Sequence, residues 1–360
     1  MATDTAKVPT TSGWKAPSDP ASRNYPYNCW WVAALRDELN REMLGRWLLD
    51  THVLMFRKED GTAVAMENRC PHRGAPLTLG CLKGDTVQCG YHGFTFGSDG
   101  KCLDVPSMKS PPGAARVPTY PLIEHGPFVW IYLGDPAVID DVPPPPLLDW
   151  LEDDAFTRIY DHMTMDANYM LLKENVLDLT HFGYVHATTF KIHSWWSEPP
   201  KFTADEYTTT FHHYFEKIAL PALFADPLGV PHGTEMDRDN HGSFLSPALQ
   251  VANADFIDPT TRERRGRFRI CHGTTPINGE SMHYFWSIGR DHGTSPEEMS
   301  GLRDITRIAF KEDQDMIEAI QQTWKRDPRG NKAPEISVKM DAGGVNARRI
   351  VDKWMARETG

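Results

Sequence analysis

Cys70-Pro71-His72, a gap of sixteen residues, and Cys89-Gly90-Tyr91-His92 constrain this chain more than any other feature. They offer two thiolates and two imidazoles as a pair of short chelating loops, and they demand a fold that brings two loop tips together. Donors of this kind suit a structural zinc ion, or an iron–sulfur centre in which two cysteines hold one iron and two histidines the other. Arg73 and Gly74 follow the first histidine, Gly93 and Phe94 follow the second, and an Asp99-Gly100 turn signal closes the stretch. These flanks and the opening Cys-x-His favour iron–sulfur over zinc, although the ligand types alone allow either. Neutral imidazole in place of anionic thiolate raises the reduction potential of such a cluster, and the cluster passes single electrons.

Cys29, Cys81, Cys102 and Cys271 share no repeated spacing. In a chain of 360 residues they read as buried thiols rather than a disulfide framework. That length allows two cores. Residues 1–25 are polar, with Pro, Ser and Thr and no apolar run, so a disordered tail is expected there, with neither a secretion signal nor an anchor. No run of 18 apolar residues occurs, which predicts no membrane span. The net charge of −11 argues against a general nucleic-acid binder. The expected setting is the cytoplasm.

The proline run Pro143–Pro146 reads as a stiff connector. Before it, HVLMFR, TAVAME, TVQCGYHGFTF and FVWIYLG are β-rich segments punctuated by Gly, Pro and Asp, as in small antiparallel sheets. After it, strands are expected over 155–165, 205–220, 245–256, 266–275 and 281–290, and helices over 168–186 and 300–324. The fold class is therefore α+β: an N-terminal all-β metal-binding domain over 26–146 and a C-terminal domain over 147–360, with helices packed on an antiparallel sheet.

A second constellation lies in KENVLDLTHFGYVH, which carries Glu174, Asn175, Asp178, His181 and His186. Asp178 and His181 would share a helix face. His181 and His186 would lie about 140° apart on an ideal helix, so joint metal binding needs a bend or an end between them, near Gly183. Taken alone, two histidines satisfied inside a core explain the segment equally well.

A Rieske-type motif followed by N-x-x-D-x-x-H-x-x-x-x-H resembles the catalytic subunit of the Rieske non-haem iron oxygenases, from about Tyr27 into the 320s. PYNCWWVAAL and FKEDQDMIEAIQ are similar to the branch that holds dicamba monooxygenase and vanillate O-demethylase. The extra cysteine pair of respiratory Rieske proteins has no counterpart after these loops. The resemblance implies that Cys70, His72, Cys89 and His92 hold a Rieske [2Fe–2S] cluster. It implies that His181, His186 and Asp313 bind mononuclear Fe(II), with Asp315 and Glu312 as rivals to Asp313. The other acids of that late helix would form its solvated face, with Phe310, Ile317 and Ile320 turned inward. Asn175 would lie near the iron. Asp178 would contact His181 and, across a subunit interface, His92, which implies a homotrimer and an electron-transfer bridge.

The implied reaction is O2-dependent hydroxylation or O-demethylation of a small aromatic, carboxylated compound. NADH would act only through a separate reductase, with or without a ferredoxin, since the chain has no flavin or nicotinamide motif. A ring cis-dihydroxylating dioxygenase is the alternative on the same scaffold, and a non-enzymatic Rieske electron carrier is the alternative of another class. Apolar pocket walls are expected from Phe182, Phe190, Trp195, Trp196, Leu223, Phe224, Phe285 and Trp286. His272 matches a strand position that meets the substrate carboxylate in that branch, and Asn253 and Arg269 are further polar candidates. Segments 190–200 and 221–245 read as substrate-facing loops.

Overall fold

The chain divides between Pro145 and Pro146, inside the proline run, into two units. The computed structural model describes residues 23–190 and 200–358. Most of the expected tail, 1–22, therefore lies outside the described residues, but Arg23 and Tyr25 are buried, and the Tyr25 hydroxyl donates to Asp50.

Eleven short strands build the described part of the first unit: β1 (Trp30–Leu35), β2 (Leu44–Leu48), β3 (Thr51–Arg57), β4 (Ala63–Glu67), β5 (Cys81–Lys83), β6 (Thr86–Gln88), β7 (Thr95–Phe96), β8 (Cys102–Asp104), β9 (Thr119–Tyr120), β10 (Leu122–His125) and β11 (Phe128–Tyr132). They form three sheets in the orders β1-β11-β10, β2-β3-β4-β9 and β5-β6-β7-β8. Leu54, Phe56, Met66, Leu77, Val87 and Phe96 pack into a core that includes Cys70 and Cys89. Cys29 and Cys271 are buried as expected. Cys81 is exposed and Cys102 half-buried, because each sits on an outermost strand of the β5–β8 sheet. None of the six cysteines forms a disulfide among the described residues.

The second unit is one seven-stranded antiparallel sheet carrying helices. Its strands are β12 (Thr157–Met165), β13 (Lys201–Ala204), β14 (Thr209–Ala219), β15 (Glu235–Ser246), β16 (Leu249–Ile257), β17 (Arg264–Asn278) and β18 (Ser281–Arg290), in the order β12-β18-β17-β16-β15-β14-β13. The helices are α1 (Tyr169–Leu177), α2 (Ala222–Leu228), α3 (Pro296–Arg326) and α4 (Ala342–Ala356). α1 packs on β15, β16 and β17 and against α3 and α4, while α3 lies along β12. No helix among the described residues is long and apolar enough to cross a membrane.

Four expectations need correction. The helix expected over 168–186 stops at Leu177, because Asp178 is extended (φ −120°, ψ 95°) and its carboxylate caps a separate 3₁₀ turn over Leu179–Gly183. Segment 221–245 holds α2 and most of β15 rather than a loop. β15 lacks the apolar alternation of a strand, because two of its inward positions are Arg238 and Asn240. α4 was not anticipated: its Gly343-Gly344 pair reads as a breaker. A Cβ at Gly343 would press on Phe202 at 2.9 Å, so the glycines serve close packing. Finally, Ile320 faces solvent, while Ile317 is buried.

Candidate active site

The two cysteine–histidine loops are tips of equal length. In the first, Cys70 N–H donates to Ala75 O (2.8 Å) and Gly74 N–H to Cys70 O (2.9 Å). In the second, Cys89 N–H donates to Phe94 O (2.8 Å) and Gly93 N–H to Cys89 O (3.1 Å). Each closure needs a left-handed residue at its fifth position, supplied by Gly74 (φ 75°) and Gly93 (φ 78°). Both thiols point into the core, whereas His72 and His92 are exposed, with ring centroids 4.5 Å apart. Phe94 stacks on His72 at 4.7 Å. The Cys70 thiol is pushed up to about 11, by burial first and then by its hydrogen bond with Cys89. Two buried facing thiols become a stable thiolate pair only on a cation, so the donors fit an iron–sulfur cluster bound through these loops.

In the second unit, the break at Asp178 turns His181 back toward His186, whose ring centroid lies 5.2 Å away. His181 Nδ1 bonds the Asp178 backbone carbonyl (2.6 Å), and His186 Nδ1 bonds Glu312 Oε2 (2.7 Å). Carbonyl and carboxylate only accept, so both rings donate from Nδ1 and keep a lone pair on Nε2. Both Nε2 atoms face Asp313 Oδ1, at 3.6 Å from His181 and 3.3 Å from His186. One donor atom from each of the three residues falls within a 4.8 Å cluster. Burial lowers the pKa of His181. It would lower that of His186 too, but Asp313 and then Glu312 outweigh it and raise the value. A nearly buried carboxylate facing two lone pairs fits a divalent cation with two histidines and one carboxylate, the set suited to Fe(II).

The neighbours sort the remaining expectations. Asn175 Nδ2 donates to the same oxygen, Asp313 Oδ1 (3.0 Å), and helps fix the carboxylate. Glu312 is held by His186 and by Thr189 Oγ1 (2.6 Å), so it orients His186 rather than joining the three-residue donor cluster. Asp315 is exposed and pairs with Lys311. α3 buries Met299, Leu302, Thr306, Ala309, Asp313, Ile317 and Gln321 on one stripe, and Asp313 is the acid on it. An acid on the apolar face of an amphipathic helix is the signal that separates it from its rivals. Asp178 departs from expectation, because its carboxylate bonds Thr180 (N 2.9 Å, Oγ1 2.7 Å) and it meets His181 only through its backbone.

These groups sit in the wall of a cavity of about 150 Å³ bounded by α1, α2, α3 and the sheet. Phe182, Phe190, Leu223 and Phe224 line it as expected. Trp195 and Trp196 lie outside the described residues. Phe285 does not line it, because it points to the opposite sheet face and stacks on His162 (4.4 Å). Trp286 does not either, packing beneath Phe310 at 5.4 Å. His272 and Asn253 do line it, whereas Arg269 is committed to Asp255 (2.6 Å). His272 is buried and pushed down to about 3 by burial first and by Lys173 next, so it is neutral; its Nδ1 bonds the Tyr284 hydroxyl (2.7 Å). Sequence reasoning missed Arg238 and Arg290, two nearly buried arginines in the same wall. Their signal is a basic residue on the inward face of a core strand.

Two family models match the chain: the Rieske [2Fe-2S] domain over residues 29–121 and the vanillate O-demethylase oxygenase C-terminal domain over residues 165–357. The chain is 31% identical to a toluene-4-sulfonate monooxygenase system iron-sulfur subunit of Comamonas testosteroni, over 92% of this chain and 98% of that one. It is 32% identical to the dicamba O-demethylase oxygenase component of Stenotrophomonas maltophilia, over 82% and 88%. The crystal structure of dicamba monooxygenase bound to 3,6-dichlorosalicylic acid superposes with a TM-score of 0.85 at 28% identity, covering 93% of this chain and 98% of that one. The chain belongs to the Rieske non-haem iron oxygenases, in the group that includes the vanillate and dicamba O-demethylase oxygenase components. It is thus an oxidoreductase, the oxygenase component of a multicomponent Rieske system, with a [2Fe–2S] cluster, non-haem iron and O2 as co-substrate.

Proposed function

We propose that this oxygenase inserts one oxygen atom into an aromatic acid, removing an O-methyl group where the substrate carries one. The observation that carries the reading is the convergence of His181 Nε2, His186 Nε2 and Asp313 Oδ1 on the wall of a largely apolar cavity of about 150 Å³. An apolar cavity of that order is known to hold a benzene ring.

In this reading Cys70, His72, Cys89 and His92 hold the cluster, and His181, His186 and Asp313 hold the iron. When bound, the cluster would supply single electrons and the iron would activate O2. The protein's own groups do the rest. Asn175 fixes the Asp313 carboxylate, while Glu312 and the Asp178 carbonyl hold the imidazoles in the Nδ1–H form. Leu172, Phe182, Phe190 and Phe310 present an apolar surface that packs an aromatic ring and excludes water. The balance is ArOCH3 + O2 + 2 e⁻ + 2 H⁺ → ArOH + HCHO + H2O. The electrons come from NADH through a separate reductase, with or without a ferredoxin.

The working assembly we infer is a head-to-tail homotrimer in the cytoplasm. Asp178 of one protomer would link its iron site to the cluster histidine His92 of a neighbour. The exposed His72 and His92 rings, and six cysteines with no disulfide among the described residues, support this reading.

The test is oxygen uptake with NADH and a surrogate reductase across methoxylated aromatic acids, with formaldehyde assayed in the same wells. Matched uptake and formaldehyde are expected. Uptake without formaldehyde, and with a cis-dihydrodiol, would replace this reading by ring dihydroxylation.

A further inference from the structure

The sheet floor of the cavity changes character along its length. Strand register places His272 beside Gln250 and Trp286 in one row, and Ala252, Ile270 and Ile288 in the next. The row after that holds Asn240, Ala254, Phe268 and Arg290, and Arg238 lies two residues beyond Asn240 on β15. From the His272 row to the Arg290 row is four residues of strand, about 13 Å. α3 runs over the same span. Its Phe310 lies 6.1 Å from His272, and its first-turn Glu298 is the acid whose charge reaches Arg290. The cavity therefore has a metal-ligand end beside Asp313 and a basic end about 16 Å away beside Leu302, eleven helical residues earlier.

At the basic end Arg290 is 4% exposed and lines the cavity. Its Nε is buried without a hydrogen-bond partner, and no ion pair joins its guanidinium to any described residue. The carboxylates nearby are engaged elsewhere: Asp291 with Arg267 (2.6 Å), Asp255 with Arg269 (2.6 Å), Asp237 with Arg262 and Tyr214, and Glu298 in the Ser295 capping box. Arg238, also nearly buried, lies over Phe224 at 4.4 Å. Burying the Arg290 guanidinium with no direct ion pair, only the Glu298 charge beyond ion-pair distance, is costly, and burial depresses the pKa of both arginines. A site that keeps such a cation in its wall is built for an anion that arrives from outside.

Resting on the reading of this cavity as the substrate site, we propose that Arg290, with Arg238 and Asn240, binds the carboxylate or sulfonate of an elongated aromatic acid. The reacting carbon then lies at the opposite end of the molecule from the acid. His272 is neutral, its Nδ1 is taken by Tyr284, and it contacts the ring end of the substrate rather than neutralising its charge.

Equilibrium binding to the full-length protein tests this without reductase or turnover, so failure of the demethylation reading leaves it standing. The probes are 4-methoxycinnamate, its methyl ester and 2-methoxybenzoate, followed by tryptophan fluorescence or calorimetry. The parent should prefer the acid to the ester and to 2-methoxybenzoate, whose acid adjoins its methoxy group. Arg290→Met should cost about 10- to 100-fold in affinity for the acid, hardly move the ester, and erase the preference. Arg290→Lys should keep part of it. Arg238→Met, in case Arg290→Met fails to fold, should reduce the same preference. Equal acid and ester affinities in the parent, tighter binding of 2-methoxybenzoate, or a preference that survives both methionine variants would overturn the proposal.

Discussion

At the scale of the residue, what holds their far nitrogens suits His181 and His186 to a metal. The Asp178 carbonyl takes one Nδ1–H and the Glu312 carboxylate takes the other, so both Nε2 lone pairs face Asp313. Glu312→Ala should therefore weaken Fe(II) binding by about 10- to 100-fold, with Glu312→Gln between it and the parent. Titration of the iron-free protein checks this, and unchanged affinity in the alanine variant would reduce Glu312 to a surface acid. Asp313→Ala should leave the cluster absorption intact and abolish turnover; an active variant would remove Asp313 from the site. The ligand types were legible from spacing and resemblance. The choice among Glu312, Asp313 and Asp315 needed the helix face, because neighbouring acids differ by about 100° in direction.

At the scale of the element, two devices make the sites, and both are local. The first is the pair of six-residue tips that close on a left-handed glycine. Gly93→Ala should disturb the second tip twice over, since φ is 78° and the new Cβ would meet Pro106 Cγ at 2.9 Å. A loss of about 1–2 kcal/mol for the left-handed residue alone is expected, with lower cluster content per chain by absorbance. Gly113, where an added Cβ meets nothing within 4 Å, is the control: its alanine variant should match the parent. The second device is the break after α1. The sequence reading placed it near Gly183, but Asp178 makes it by capping its own following turn, an Asx habit that competes with helix continuation. β15 was hidden for a related reason. Strand detection relies on apolar residues facing inward, and here Arg238 and Asn240 take those positions because a cavity, not a packed core, lies above them.

At the scale of the whole molecule, the two redox groups depend on separate units with separate cores. A ferrous chelator should thus abolish turnover while leaving the cluster spectrum unchanged, and added Fe(II) should restore activity. Parallel bleaching of the cluster would contradict that independence. Asp178→Asn should keep both metal centres yet block single-turnover oxidation of the reduced cluster. Oxidation at the parent's rate would leave Asp178 only its capping role, which asparagine also fills.

The sequence alone determined the chemistry available to this protein: which residues can hold a cluster, which pair of histidines can hold a second metal, and that strands and helices share the chain. Those are local properties, set by residue type, spacing and turn chemistry over a few positions. Only the tertiary structure decided which acid of α3 meets those histidines, which carboxylate stands behind His186, and that two arginines from β15 and β18 end up in one wall. Such juxtapositions join residues 126 apart, as for His186 and Glu312, or 52 apart, as for Arg238 and Arg290. They follow from the register of a seven-stranded sheet and the packing of helices on it, which no short window of sequence contains.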